Sequence, residues 1–517
     1  MFVLLNVWFA NFPYLFAMRK LYMLAVLTAF FIQVNAQVKE IPKEAPLPAG
    51  ITASISKGSV TMVNGKKIDY TTYTGYLDLR NDTGKIIAKM FFVYYKQDGI
   101  SSANKPITFT FNGGPGSSSV WLHMGGLAPK RVLLKDDGTA PAPPYQVVNN
   151  EYTWLDKTDL VFIDPVATGF SRPAPGESPR QFHGFNEDLQ SMGSFIRHFL
   201  SRFERWGSAK FLAGESYGTT RAAGLSKYLQ DQHRVYFNGI FLISAILNFG
   251  NNDYYPGNDM PRALYLPSYT AAAWYHKKLA PELQADLQKT LKEAEAFALG
   301  EYATALIKGG WLTDAEKDKV ATKMAYYTGL SKDYCLKANL RVEENRFWKE
   351  LRRNDGLIIG RLDARFTGRD LEDAGENFSF DPSFSNIDGP FTSALNDYLQ
   401  KDLNFKEEKG YNIFGDVRPW NYNNVQNQFL NVADMMRDAM AKNPSLKIYL
   451  GRGYYDFATP YFTALYDIEH MQLRPEQRKN VKVYDYNAGH MYYINKPDLI
   501  KFKKDVDEFF EFALKKD

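Results

Sequence analysis

The stretch Phe211-Leu212-Ala213-Gly214-Glu215-Ser216-Tyr217-Gly218 decides how this chain folds. Its apolar start, Phe211–Ala213, predicts a buried strand, and the following segment Arg221–Leu229 predicts a helix. Between them, the pattern G-x-S-x-G places Ser216 on a tight turn from strand to helix, with small neighbours that avoid backbone clashes. The motif therefore indicates a serine nucleophile at a strand end. Taken alone, it leaves open a glycine-rich turn with a solvated serine.

Other segments of the chain have the length and composition of buried parallel strands. They are Ile107–Phe111, Leu160–Ile163, Gly239–Ile246, Leu446–Leu450 and Val481–Tyr486. The segment Asn186–Trp206 has apolar residues at helical spacing, and Ser59–Tyr95 alternates as antiparallel strands do. Alternation of strands and helices predicts an α/β fold with a mostly parallel central sheet, preceded by antiparallel N-terminal strands.

A change of pattern divides the chain between about residues 250 and 442. Sequence patterns typical of helices dominate there, for example in Pro281–Leu299 and in a helix that starts at Thr313 with the capping box Thr313-Asp314-Ala315-Glu316. We interpret this region as a helical cap inserted into the sheet domain, where it would cover the active site. Residues 37–517, with this insertion included, are predicted to form a single catalytic domain.

The composition excludes several classes of function. The chain has 517 residues, of which 45% are hydrophobic, so it can bury a large core and is not a disordered protein. Its net charge of +4 is spread along the chain, which argues against a nucleic-acid partner. The single cysteine, Cys335, excludes an intrachain disulfide and cysteine-based zinc sites. No metal or other cofactor is predicted.

Residues 1–36 have the order of features found in a secretory signal. They contain no acidic residue, and the pair Arg19-Lys20 precedes the apolar run Leu21–Ile32 and a small-residue cleavage site that ends at Ala36. The alternative is a membrane anchor, because the apolar segment is long enough to span a bilayer. The charged pair interrupts that apolar sequence, so we favour a signal peptide. Met18 is an alternative initiator methionine. The mature protein is then predicted to be periplasmic or secreted and free of the membrane.

A nucleophilic serine needs a base, and the base needs an orienting acid. After a G-x-S-x-G motif the acid comes first in the chain and the histidine second. His490 lies on a loop directly after the strand Val481–Tyr486, and Asp456 follows the strand Leu446–Leu450 in the same way. Other histidines after Ser216 lie in polar or helical text. The order Ser216, Asp456, His490 is therefore the predicted catalytic set.

Two backbone segments are candidates for stabilising an oxyanion. One N–H group should come from Tyr217, directly after the nucleophile, and another from a loop after an earlier strand. The glycine-rich loop Asn112–Ser119 follows the strand Ile107–Phe111 and fits that position. The alternative of a phosphate-binding loop is disfavoured, because neither a Lys-Ser/Thr pair nor G-x-G-x-x-G follows.

Together, these segments resemble the serine carboxypeptidase family of the α/β-hydrolases. The resemblance rests on Asn112-Gly113-Gly114-Pro115-Gly116, Gly214–Gly218, Asp164–Ser171 and Gly489-His490-Met491. It implies an α/β-hydrolase fold in which His490 is the base, Asp456 its partner and Ser216 the nucleophile. It also implies oxyanion N–H groups from Gly114 and Tyr217, contacts to the substrate's terminal carboxylate from Asn112, Gly113 and Glu215, and a pocket wall from Met491.

The resemblance implies a further role for Glu215. A glutamate can bind a carboxylate by hydrogen bonding only when one of the two holds a proton. The resemblance therefore implies a preference for acidic pH. Family members often have a second glutamate at the position of Gly126, so this chain lacks part of that paired system. Ser117 stands where a cysteine is common, which with the single cysteine is typical of a bacterial variant without disulfides.

Three hypotheses on function follow. The first is a secreted serine-type carboxypeptidase that hydrolyses C-terminal peptide bonds of peptides or proteins through an acyl-enzyme on Ser216. The second is an esterase or acyltransferase on the same fold, and Gly126 is the feature that favours it. The third, a binding protein without activity, is disfavoured because the segments carrying Ser216, Asp456 and His490 are all present.

Overall fold

The computed structural model describes residues 47–515. The predicted signal segment 1–36 lies outside the described residues. From Pro48 onward the chain forms one compact unit. Within residues 47–515, no helix combines the length and the apolar character that crossing a bilayer requires.

The strands of this unit are short in the middle of the chain and long at its start. They are β1 (Ile51–Thr61), β2 (Lys67–Arg80), β3 (Ile86–Gln97), β4 (Ile107–Phe111), β5 (Lys130–Val132), β6 (Val147–Asn149), β7 (Asp159–Ile163), β8 (Arg172–Pro173), β9 (Lys210–Ser216), β10 (Gly239–Ala245), β11 (Ile358–Ile359), β12 (Thr367–Gly368), β13 (Lys447–Gly453) and β14 (Val481–Tyr486).

The central sheet has ten strands, and its main path runs in the order β1-β2-β3-β7-β4-β9-β10-β13-β14, with β8 paired to β3. Strands β1, β2, β3 and β7 pair antiparallel. From β7 to β14 every neighbouring pair is parallel. The carboxyl ends of β4, β9, β13 and β14 therefore open on the same edge of the sheet, where ligands bind in folds of this kind.

The helices cover the sheet and fill the segment between β10 and β13. They are α1 (Val120–Leu122), α2 (Phe185–Arg202), α3 (Tyr217–His233), α4 (Met260–Tyr275), α5 (Pro281–Gln284), α6 (Leu287–Phe297), α7 (Ala303–Lys308), α8 (Asp314–Thr328), α9 (Lys332–Lys337), α10 (Glu344–Glu350), α11 (Pro382–Lys401), α12 (Ala433–Lys442), α13 (Tyr461–Glu469), α14 (Pro475–Arg478) and α15 (Lys496–Leu514). A π-helix, His123–Leu127, continues α1.

Two apolar clusters hold the unit together. One joins the sheet to α11 and α15. The other lies among helices α4 to α10 and includes Tyr455 and Phe457 from the loop after β13. Because burial of apolar surface is the main source of stability, this second cluster attaches the helical segment to the loop that carries Asp456.

The predicted fold class is confirmed: a mostly parallel sheet, antiparallel N-terminal strands and a helical insertion. All six predicted parallel strands are strands of the central sheet, and the capping box at Thr313 is present. One prediction was wrong in detail. Pro281–Leu299 is not one helix, because the Asp286 side chain accepts the N–H of Lys289 and starts a new helix there.

Candidate active site

Ser216 ends β9, and α3 begins at the next residue. Its backbone lies at φ 59° and ψ −131°, a conformation that costs a non-glycine residue about 1–3 kcal/mol. The turn is so tight that a Cβ on Gly214 would lie 2.1 Å from the carbonyl oxygen of Gly218. The small residues of the motif are therefore a steric requirement, and the serine is held away from its own strand at the sheet edge.

Asp456 and His490 come from the ends of neighbouring parallel strands, β13 and β14. His490 Nδ1 and Asp456 Oδ2 are 2.8 Å apart, and both side chains are buried. Asp456 Oδ1 accepts the N–H groups of Ala458 and Thr459 at 2.7 and 2.9 Å, and Thr459 Oγ1 donates to Oδ2 at 2.7 Å. The carboxylate is thus fixed on both oxygens and fixes the imidazole in turn.

The charge around His490 suits a catalytic base. Burial lowers the pKa of His490, but the neighbouring carboxylate of Asp456 and the charge of Glu215 outweigh burial and raise it above its ordinary 6.5. The backbone of His490 is also held, since its N–H donates to the carbonyl of Leu362 at 2.6 Å and its carbonyl accepts Ser244 Oγ at 2.6 Å. These contacts keep the ring in one position.

The glycine-rich loop after β4 lies directly against the start of α3. A Cβ on Gly113 would be 2.3 Å from the backbone nitrogen of Tyr217, so no larger residue fits there. The predicted oxyanion donors, the N–H groups of Gly114 and Tyr217, therefore belong to adjoining backbone segments. The first N–H groups of a helix have no acceptor within the helix, and a negative charge is favoured at that end.

A buried ion pair fastens this loop to α3. Arg221 Nε lies 2.8 Å from Asp188 Oδ2, and Arg221 Nη1 donates to the carbonyl of Asn112 at 2.6 Å. Both charged side chains are almost completely buried. Burial raises the pKa of Asp188, although the charge of Arg221 opposes that shift. The pair links the loop of Asn112 to the two helices that flank β9.

Glu215 is hydrogen-bonded through both of its carboxyl oxygens. Asn112 Nδ2 donates to Oε1 at 2.8 Å, and the Tyr493 hydroxyl donates to Oε2. Asn112 is itself oriented, because its Oδ1 accepts the N–H of Leu122 at 3.0 Å. Burial raises the pKa of Glu215 to about 7, against the lowering effects of His490, Tyr493 and Asn112. The side chain can therefore hold or release a proton near neutral pH.

A cavity of about 500 Å³ brings the predicted residues together. Seven of them line it: Asn112, Gly113, Gly114, Glu215, Ser216, His490 and Met491. Asp456 lies behind His490 rather than in the wall, and Tyr217 is also outside the lining, with its ring packed against Trp420. Within residues 47–515, no group of three His, Cys, Asp or Glu side chains could hold a metal ion.

The sequence predicted that the inserted segment covers the active site, but not which residues form the cavity wall that faces the sheet edge. It comes mainly from the segment between β10 and β13, with Arg361, Leu362, Phe378, Asp381, Phe384, Ile387, Phe414 and Arg418. Arg361 and Arg418 are exposed, so their charges face the solvent-filled space. Tyr493 was also missed, although its position three residues after His490 could have suggested a role in the same site.

Comparison with known proteins identifies relatives. A family model described as "Serine carboxypeptidase" matches residues 63–497. Curated relatives include Serine carboxypeptidase-like 40 of Arabidopsis thaliana, 28% identical over 186 residues that cover 35% of this chain and 34% of that protein. Carboxypeptidase Y of Komagataella phaffii is 28% identical over 190 residues, covering 36% of this chain and 32% of that protein.

A third relative, the Carboxypeptidase Y homolog of Arthroderma benhamiae, is 34% identical over 131 residues, which are 25% of this chain and 24% of that protein. In each of these alignments, the matched part covers only between about a quarter and two fifths of the relative's own length.

Proposed function

The chain belongs to the serine carboxypeptidase family, and from that premise we propose that it removes C-terminal residues from peptides through an acyl-enzyme on Ser216. The observation that carries this proposal is the single cavity into which Ser216, His490 and the Asn112–Glu215 pair all open. A nucleophile with its base on one side and a carboxylate-binding pair on the other is what an exopeptidase needs.

The proposed reaction assigns one step to each of these groups. Ser216 Oγ attacks the last peptide carbonyl while His490 Nε2 takes the hydroxyl proton, and Asp456 holds the opposite ring nitrogen, Nδ1, at 2.8 Å. The N–H groups of Gly114 and Tyr217 stabilise the oxyanion. His490 then gives its proton to the leaving amine, the C–N bond breaks, and water activated by His490 hydrolyses the acyl-enzyme.

Glu215, Asn112 and the Gly113 N–H bind the terminal carboxylate of the substrate, and Met491 contacts the departing residue. This binding needs one proton between the two carboxyl groups. With the pKa of Glu215 at about 7, that proton is held below neutral pH and lost above it. Peptide hydrolysis should therefore weaken as the pH rises beyond about 7, and also as the pH falls and protonates His490.

The test uses N-blocked dipeptides, with the matching C-terminal amides as controls, between pH 4 and 8. We expect amino-acid release from the free acids, much slower release from the amides, and none with Ser216→Ala. Equal rates on acids and amides would contradict a carboxypeptidase. Labelling of Ser216 by a fluorophosphonate without any peptide cleavage would leave a hydrolase of another kind.

An esterase or acyltransferase is the second candidate, and Gly126 favours it because the second family glutamate is absent. Comparison of a blocked amino-acid ester with the corresponding peptide separates the two. Much faster ester turnover, with no preference for a free carboxylate elsewhere in the substrate, would support the alternative. A clear preference for the peptide acid would reject it.

Export is part of the proposal and rests on residues 1–36. Expression of the full chain in a bacterial host, followed by N-terminal sequencing of the exported fraction, tests it. Cleavage after Ala36 is expected. Retention of the whole protein in the membrane fraction would instead support the anchor.

A further inference from the structure

Tyr493 contacts Glu215 from outside the lining of the cavity, and Gly125 and Gly126 lie against Tyr493. We propose that Tyr493 takes the place of a second acidic residue: its neutral hydroxyl positions the Glu215 carboxyl and favours its charged form until a substrate carboxylate arrives. The inference rests on the proposed function, because it concerns how the same site binds the end of a peptide. Tyr493 is a positioning residue that acts through Glu215.

The contact between the two side chains is direct and buried. The Tyr493 hydroxyl donates to Glu215 Oε2, while Asn112 Nδ2 donates to Oε1 at 2.8 Å. Tyr493 is 1% exposed and Glu215 is 2% exposed, so water does not compete for these hydrogen bonds. Both donors are neutral groups, and each oxygen keeps a further lone pair that can take a proton or face a ligand.

The Tyr493 ring fills the space beside Gly125 and Gly126, at the π-helix that continues α1. A Cβ on Gly125 would lie 2.3 Å from Tyr493 Cε2. A Cβ on Gly126 would lie 3.0 Å from Tyr493 Cβ and 3.2 Å from Leu499 Cδ1. A side chain at Gly125 would therefore collide with the ring, and one at Gly126 would press on Tyr493 and Leu499. The two glycines and the tyrosine form one steric arrangement.

Replacement of an acid by a phenol changes the chemistry of Glu215. Two carboxyl groups in one site repel each other when ionised, so their protons are lost in coupled steps and the pKa of one is strongly raised. A phenol donates a hydrogen bond to the ionised carboxylate and favours it. Burial and the adjacent Glu215 raise the pKa of Tyr493 well above 10, so it remains a donor at any working pH.

The groups that face Glu215 are few. His490 and Asp456 act on it from the loops after β14 and β13, and Tyr492 and Tyr493 lie in the turn before α15. Among these, Tyr493 lies outside the catalytic set and its hydroxyl hydrogen-bonds directly to Glu215. The proposal predicts a single titrating carboxyl for carboxylate binding and predicts that its titration depends on that hydroxyl.

The experiment compares the wild type with Tyr493→Phe on a blocked dipeptide acid and on an ester with the same acyl group. Loss of the hydroxyl removes a donor that favours ionised Glu215. The pH midpoint above which KM for the peptide rises should therefore move upward by about one pH unit. The ester does not depend on Glu215, so its pH profile should stay unchanged.

Tyr302→Phe is the matched control. This tyrosine is also buried, and its hydroxyl donates to the carbonyl of Leu340 at 2.6 Å in the helical segment. A similar loss of a buried hydrogen bond is expected there, with no shift of the pH midpoint. A Tyr493→Phe variant that folds and shows no shift, or shows the same shift on peptide and ester, would overturn the proposal.

A measurement on the wild type covers the case in which Tyr493→Phe does not fold. Calorimetric binding of an N-acetylated amino acid, in buffers of different ionisation enthalpy, counts the protons taken up. A single carboxyl predicts uptake of about one proton at pH 8 and close to none at pH 5. The absence of proton uptake at both pH 5 and pH 8 would refute the proposal. Failure of the proposed function shows separately, as absence of peptide cleavage by the wild type.

Discussion

The two walls of the cavity are built differently. We call the first the sheet edge: the loops after β4, β9, β13 and β14, with Ser216, Asp456 and His490. The second is the cap wall: the residues of the segment between β10 and β13 that line the cavity, such as Arg361, Phe378 and Asp381. At the sheet edge, Asp456 and His490 are buried and hydrogen-bonded and Ser216 is half-buried, whereas Arg361 and Arg418 in the cap wall are exposed.

We propose that this difference separates the chemical step, at the sheet edge, from substrate selection, at the cap wall. Catalysis needs groups held to within a fraction of an ångström, and the parallel strands together with buried hydrogen bonds provide that. Selection of a substrate depends on the shape and charge of the opposite wall, which can change without disturbing the catalytic set. The same division leads us to expect large effects from sheet-edge variants and graded effects from cap-wall variants.

The largest effect is expected for Ser216→Ala. Removal of the nucleophile should lower kcat by roughly 10⁴-fold or more, since covalent catalysis is lost while substrate binding remains. Steady-state kinetics on a blocked dipeptide measure it, and circular dichroism checks the fold. A loss of tenfold or less would mean that the sheet edge does not perform the chemistry.

The second largest effect is expected for Asp456→Asn, which should decrease kcat by a factor on the order of 10²–10⁴. The amide cannot stabilise the imidazolium of His490 and permits the wrong tautomer. KM should change little, because Asp456 does not line the cavity. If KM rose as much as kcat fell, Asp456 would act on substrate binding instead, and the division between the walls would need revision.

Arg221→Met tests how much stability the sheet edge takes from its buried ion pair. The variant leaves Asp188 buried without its partner and releases the Asn112 carbonyl, so unfolding free energy should fall by about 3–5 kcal/mol. Lys442→Met is the control, because Lys442 pairs with Asp231 and Asp438 on the exposed surface, and loss of such pairs should lower the unfolding free energy far less. Urea denaturation measures both, and equal losses would reject the argument.

Arg361→Ala should have the smallest effect. Loss of an exposed positive charge from the cap wall should raise KM for substrates with an acidic side chain by roughly two- to tenfold, and less at high salt. We expect kcat and the KM of neutral substrates to stay close to the wild type, and Arg418→Ala serves for comparison. A large loss of kcat would show that the cap wall takes part in catalysis.

The residues of the sheet edge were the part of the site that the sequence predicted best. Tight-turn residues around Ser216 and the apolar strands before Asp456 and His490 are local patterns, and local patterns depend on backbone sterics and periodicity. The structure has His490 Nδ1 2.8 Å from Asp456 Oδ2, and Ser216 and His490 line one cavity, while the catalytic role of the three residues stays a prediction.

The residues of the cap wall that line the cavity could not be predicted from the sequence. Its helices could be expected from their periodicity, and the capping box at Thr313 marked one start correctly. The residues that reach the cavity lie in connecting segments, for example Arg361 after β11, where no periodic pattern exists. Their direction depends on how the second apolar cluster packs on the loop after β13.

By itself, the sequence predicted the α/β architecture, the tight turn at Ser216 and the positions of Asp456 and His490 after strands, because a local pattern of residues indicates each of them. Only the tertiary structure decided which groups surround Glu215. Tyr493 lies 278 positions away from it, and their contact exists because β9 and the turn before α15 meet at one edge of the sheet. Contacts of that kind follow from packing of the whole domain, and no local pattern encodes them.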